Sequence, residues 1–169
     1  MEVLIFDKEN VLNDENINFI SNIYNKFNKN NKLILFLNNE YMFIDNDYNK
    51  IKHLLKDILT LLIDDYNNYL HNINFFNVNN YKTTLNILKI FFIEICKSNE
   101  NIINNNILMM NDEIYSVLNC IFCLEDLYIS FFNKIYYYKK GGLIIFPCGW
   151  TFLYKIQNEK LHIIVKLYI

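Results

Sequence analysis

The sequence contains no Ala, no Arg, only three Gly and a single Pro. The missing residue types are those with GC-rich codons, and Asn is the commonest residue, so the chain is expected to come from a strongly AT-rich genome, such as that of a large DNA virus, an endosymbiont or an apicomplexan. Charge of one sign is also lacking. The 16 Lys face 18 acidic residues for a net charge of -2, and no segment gathers the Lys into a stripe. A basic face that neutralises phosphates is therefore not expected, nor is a nucleic-acid partner. Long apolar runs are absent too, because Lys89, Glu94, Asn119, Pro147 and Gly149 interrupt the most hydrophobic stretches. None reaches the roughly 18–20 residues that span a bilayer, and Glu2 follows Met1 with no basic n-region of an export signal. The expectation is a soluble chain without a membrane partner, located in the cytoplasm, or in the host cytoplasm if viral. Four cysteines, Cys96, Cys120, Cys123 and Cys148, are too few and too scattered for a disulfide scaffold.

What is present is core material. With 53% hydrophobic and 17% aromatic residues in 169, the chain has enough for a single domain over 1–169. Apolar positions at helical spacing predict four helices. The first runs from Asp14 to Lys29, with Asn13 or Asp14 as N-cap. The second covers 47–71, the third Tyr81 to Lys97, and the fourth spans Ile114 to Phe132. Leu33 to Leu37 and Tyr41 to Ile44 flank Asn38-Asn39-Glu40, which suits a small hairpin over 33–44 because Asn tolerates left-handed turn conformations. Alternation near the end predicts a three-stranded β-meander over 143–168. The expected fold class is α+β and predominantly helical, with a helical part at 1–138 and a β element at 139–169.

Gly141, Gly142, Pro147, Gly149 and Trp150 place every Gly, the Pro and the only Trp within ten residues. Backbone freedom is evidently needed there, and a structural turn under Trp150 meets that need. The stretch Leu143-Ile144-Ile145-Phe146-Pro147-Cys148-Gly149-Trp150, with Tyr154-Lys155-Ile156 and the strand Leu161 to Tyr168, resembles the central hairpin of effector-type papain-like cysteine hydrolases. In that family a His after the bend activates a Cys nucleophile. Thr151, Phe152 and Leu153 stand where the His would be. The resemblance therefore implies an inactive or truncated relative, with Cys96, Cys120 or Cys148 as the thiol and His162 as the base.

Other candidates read as structure. His53 and His71 share one helix face but lie 18 residues apart, about 27 Å along the axis. Cys120 and Cys123 have zinc-like spacing without a second pair, which favours two core thiols. No phosphate loop, nucleophile elbow or zinc-protease helix occurs. No metal and no cofactor are expected, and abundant Tyr and Phe suit a protein partner. The sequence thus points to a non-enzymatic helical protein-interaction module, with the inactive or truncated papain-like hydrolase as the alternative.

Overall fold

A computed structural model describes residues 5–36, 46–72, 89–97, 116–147, 154–157 and 159–168. Along the chain the elements are β1 (Phe6–Lys8), α1 (Asp14–Phe27), β2 (Lys32–Phe36), α2 (Asn46–Asn72), β3 (Lys89–Cys96), β4 (Ser116–Cys123), β5 (Leu127–Phe131), β6 (Lys134–Tyr138), β7 (Leu143–Pro147), β8 (Tyr154–Ile156) and β9 (His162–Tyr168). The fold is mostly β, with two helices and nine strands among the described residues, and the expectation of a predominantly helical chain is overturned.

Both helices form where the periodicity placed them. Asn13 caps α1 by accepting a hydrogen bond from the Asn16 amide at 2.8 Å, while Asp14 and Glu15 sit at the positive end of its dipole. Over the described residues of the expected third and fourth helices, 89–97 and 116–132, the chain forms strands β3, β4 and β5 instead, and residues 81–88 and 114–115 lie outside the described residues. In β4, Leu118, Cys120 and Phe122 face the helices while Asn119, Ile121 and Cys123 face the other sheet. Because both faces are buried, β4 shows no polar alternation, and its apolar run imitates helical spacing.

All strand pairs are antiparallel. One sheet has six strands in the order β1-β7-β4-β9-β3-β2, and the other has three in the order β6-β5-β8. The strands expected over 143–168 exist but form no meander. β7 pairs with β1 and β4, β8 joins the small sheet, and β9 inserts between β3 and β4. β2 likewise pairs with β3, and the second arm of the expected 33–44 hairpin lies outside the described residues.

Three layers result. One core packs α1 and α2, through residues such as Ile20, Leu55, Leu59 and Tyr66, against Ile93, Phe122, Ile145, Ile163 and Val165 of the six-stranded sheet. A second core lies between the sheets, where Phe131, Phe146 and Tyr154 meet edge to face or tilted at 5.0–6.1 Å. Burial on this scale, at about 25 cal/mol per Å² of apolar surface, is the main stabilising term.

Turns compensate for the scarcity of Gly. Phe132 and Asn133, both at positive φ, close the β5–β6 hairpin, and Asn30 and Asn31 do the same between Lys29 and Lys32. Such two-residue turns need left-handed backbone at both positions. Gly141 is kept where Asn will not serve. Its φ is +83°, its carbonyl accepts from the Val11 and Leu12 amides, and a Cβ there would lie 2.7 Å from the Leu12 carbonyl oxygen. Gly142 meets only a 3.0 Å approach to the Lys139 carbonyl and has no positive φ. Gly141→Ala is therefore expected to cost about 1–3 kcal/mol from backbone strain alone, lowering Tm by roughly 2–4 °C per kcal/mol. Gly142→Ala should cost less, and thermal melts showing the reverse order would contradict this account of the turn.

Candidate functional site

The side of the six-stranded sheet that faces the small sheet gathers buried polar groups among apolar ones, and chemistry could be built there. Register fixes its rows. Across one row stand Asp7, Ile144, Ile121, Ile164, Glu94 and Ile34. The next row carries Phe146, Asn119 and Lys166 as cross-strand neighbours. A third row sets Cys123 beside His162 and His162 beside Cys96. The surface is apolar where the small sheet covers it, and its polar groups are few.

Asn119 is wholly buried, and Lys166 is half-buried between the inward positions of β4 and β3. Lys166 has no ion-pair or hydrogen-bond partner among the described residues. The alternation of β9 already put Lys166 on one face with His162 and Ile164, but an isolated Lys in a terminal strand reads as solvated from sequence. Burial on both faces of the sheet makes it notable.

The structure brings together two residues of the thiol reading. Cys96 Sγ and His162 Nε2 are 3.1 Å apart and wholly buried. His162 Nδ1 lies 2.7 Å from the Lys160 carbonyl oxygen, which can only accept, so Nδ1 carries the proton and the Cys96 thiol donates to Nε2. Burial pushes His162 down to about 4 from its usual 6.5, against the opposing Lys160 hydrogen bond. The imidazole is neutral at physiological pH and has no positive charge with which to generate a thiolate. With no exposed surface, the pair pins β3 to β9 and does not attack a substrate.

The remaining thiols separate. Cys120 points into the helix-side core, and Cys123 faces the other sheet, where burial first and the Asp126 carboxylate second push its thiol up to about 12. Cys148, Gly149 and Trp150 lie outside the described residues. Gly141 and Gly142 form the turn that binds the end of β4 to residues 11 and 12, and Pro147 ends β7.

No protein-family model and no curated protein matches the sequence. Solved structures do. The viral collagen prolyl hydroxylase of Paramecium bursaria Chlorella virus 1, solved as a 2OG complex, is 12% identical, with TM-score 0.57, over 98% of this chain and 94% of that one. A prolyl hydroxylase from Trichoplax adhaerens, solved with a hypoxia-inducible-factor peptide fragment, is 10% identical, with TM-score 0.56, over 98% of this chain and 83% of that one. An oxidoreductase of the 2OG-Fe(II) oxygenase family from Burkholderia pseudomallei is 10% identical, with TM-score 0.58, over 99% and 84%. At these identities the likeness shows the fold, which is that of 2OG-Fe(II) oxygenases. It overturns the papain-like resemblance: residues 143–147 are a strand between β1 and β4, not half of a catalytic hairpin.

Iron in non-haem oxygenases is held by two His and one carboxylate on one face. This chain has three His. His53 is exposed on α2 and His71 lies near the end of the same helix, 18 residues on, about 27 Å along the axis. The helix packs on one side of the six-stranded sheet, whereas His162 faces the other side with both ring nitrogens engaged. No cluster of three or more His, Cys, Asp or Glu suited to a metal exists among the described residues. The residues present do not fit a two-histidine iron centre. No helix among the described residues is long and apolar enough to cross a membrane.

His162 sets a pH dependence. The unfolded chain takes up a proton near 6.5 and the folded chain only near 4, so the unfolded state binds more protons between these values and stability falls as pH drops through that window. The full separation corresponds to roughly 3 kcal/mol. Urea unfolding at pH 7, 5.5 and 4.5 should show this loss, and His162→Gln should flatten it; an unchanged slope in the variant would assign the acid sensitivity elsewhere.

Proposed function

We propose that this oxygenase-type fold binds a small organic carboxylate of the 2-oxo-acid class on the inward face of its six-stranded sheet, with Lys166 as the cation. Any chemistry there does not run through a two-histidine iron centre. The observation that carries the reading is Lys166 itself. A half-buried ammonium stands on the inward face with no counter-ion among the described residues, and burying a charge without a partner carries a cost. A carboxylate offsets that cost through charge-assisted hydrogen bonds, on the face where Asn119 is the cross-strand neighbour of Lys166. The Chlorella virus hydroxylase of similar fold, solved with 2OG, supports the choice of ligand class. This reading replaces the helical interaction module, whose helices at 81–97 and 114–132 do not exist as such over the described strands.

Calorimetric titration with 2-oxoglutarate, in the presence of EDTA, tests it. Saturable binding is expected to survive the chelator and to weaken about tenfold or more in Lys166→Met, the equivalent of one charge-assisted hydrogen bond, with Lys166→Arg intermediate. Purified protein should carry no stoichiometric iron and form no succinate from 2-oxoglutarate. Absence of binding, or indifference to Lys166→Met, would sink the carboxylate site. Stoichiometric Fe(II) with succinate formation would replace it with an iron oxygenase using other ligands.

A further inference from the structure

The outer face and end strand of the small sheet carry an inference that does not rest on the reading of Lys166. Among the described residues five large apolar or aromatic side chains are exposed, and three of them, Tyr128, Ile135 and Tyr137, stand together on β5 and β6. Tyr128 faces Tyr137 across the two strands, with ring centroids 5.2 Å apart. Ile135, at 64% exposure, lies two residues before Tyr137 on the same face.

β6 is also an end strand. In the order β6-β5-β8 it pairs with β5 alone among the described strands. The hairpin register decides which of its backbone groups are left over. The two-residue turn at Phe132 and Asn133 makes Phe131 and Lys134 a hydrogen-bonded pair, and bonded and non-bonded pairs then alternate along the antiparallel ladder. Ile129–Tyr136 and Leu127–Tyr138 are therefore bonded pairs, whereas Ser130–Ile135 and Tyr128–Tyr137 are not. The close approach of the two Tyr rings agrees, because side chains are nearest in non-bonded pairs. So does the Tyr128 carbonyl, which accepts from the Gln157 amide on the β8 side. The N–H and C=O groups of Ile135 and Tyr137 thus point off the edge of the sheet.

Edge strands are commonly protected against pairing by a Pro, a charge or a bulge. Ile135-Tyr136-Tyr137-Tyr138 has none of these, and its ladder with β5 runs without a bulge. Lysines stand only at its ends, as Lys134, Lys139 and Lys140. Their positions select one register for pairing with a second β6. A two-fold axis at Tyr136 sets Ile135 opposite Tyr137 of the second copy, so that all the outward backbone groups of both residues are exchanged. It also sets Lys134 opposite Tyr138 and opposes no two charges. Moving the axis to Tyr137 would put Lys134 against Lys140, and like charges directly opposite are destabilising. Moving it to Ile135 would put Tyr137 against Asn133, in the turn. The first register alone keeps the lysines apart and gives Ile135 an aromatic partner, a favourable cross-strand pair. A contact of this isologous kind closes on itself and does not grow into a fibre.

We propose that β6 is an association strand for a second copy of this chain. Two β6 edges pair antiparallel about Tyr136 and join the two small sheets into one.

Sedimentation equilibrium of the full chain between about 1 µM and about 1 mM tests the proposal, because a five-residue strand pair is a small interface of the weak class. The average mass is expected to rise from that of one chain toward that of two and to stop there. Amide exchange at Ile135 and Tyr137 should slow as concentration rises, while exchange at Tyr136, already bonded to β5, should not. Ile135→Lys sets an ammonium diagonal to its own symmetry mate and to Lys139 of the second copy, and should weaken dimerisation about tenfold or more. Ile135→Pro removes an N–H that β5 does not use, so it should weaken the dimer while circular dichroism and Tm show a folded monomer. Ile135→Val should retain the dimer. A mass of one chain at every concentration, a mass that grows beyond two chains, or a dimer that persists in the folded Ile135→Lys protein would overturn the proposal.

Discussion

Burial of the six-stranded sheet on both faces is the constraint from which the rest of the structure follows. The helices cover one side and the small sheet the other, so β4, β7 and β9 have almost no position that can be polar without a partner. Their sequences are accordingly near-continuous Ile, Leu, Val, Phe and Cys. Where a polar group does occur on the inward side it stands out, as at Asn119, His162 and Lys166. His162 resolves its burial through the Cys96 thiol and the Lys160 carbonyl.

The same constraint decides what could be read from sequence. α1 and α2 each have one wet side, so their apolar stripes show plainly, and Asn13 marks the first helix start. β3 and β4 have no wet side, and an apolar run without alternation cannot be told from a buried helix by its period. The clue available was the enrichment in β-branched and aromatic residues of Ile90-Phe91-Phe92-Ile93. Over 143–168 the strands were legible because turns separate them, but their partners were not. Pairing joins β9 to strands that lie far back in the chain, and no local pattern encodes such contacts. The thiol and imidazole of Cys96 and His162 could be named as candidates; that they meet is a consequence of register, and that they are inert follows from burial.

The two-histidine question has a geometric answer. A sheet is a partition, and groups attached to opposite sides of it cannot share an ion. The chain places two of its His on the helix layer and the third on the opposite face of β9. Similarity of fold to a 2OG-Fe(II) oxygenase therefore coexists with the absence of any metal-suited cluster of His, Cys, Asp or Glu among the described residues.

β9 is the hinge of assembly as well as of architecture. β3 and β4 lie on either side of it without pairing with each other, so the middle of the large sheet is a slot until residues 162–168 arrive. On the ribosome those residues emerge after every other described strand. Earlier strands must wait with unsatisfied amides and exposed apolar faces, a state that invites aggregation and slows folding when contacts are so distant in sequence. Synthesis of this protein should consequently lean on chaperones that shield nascent β-structure, and shortening the chain by its last strand should yield insoluble material, not a smaller soluble domain.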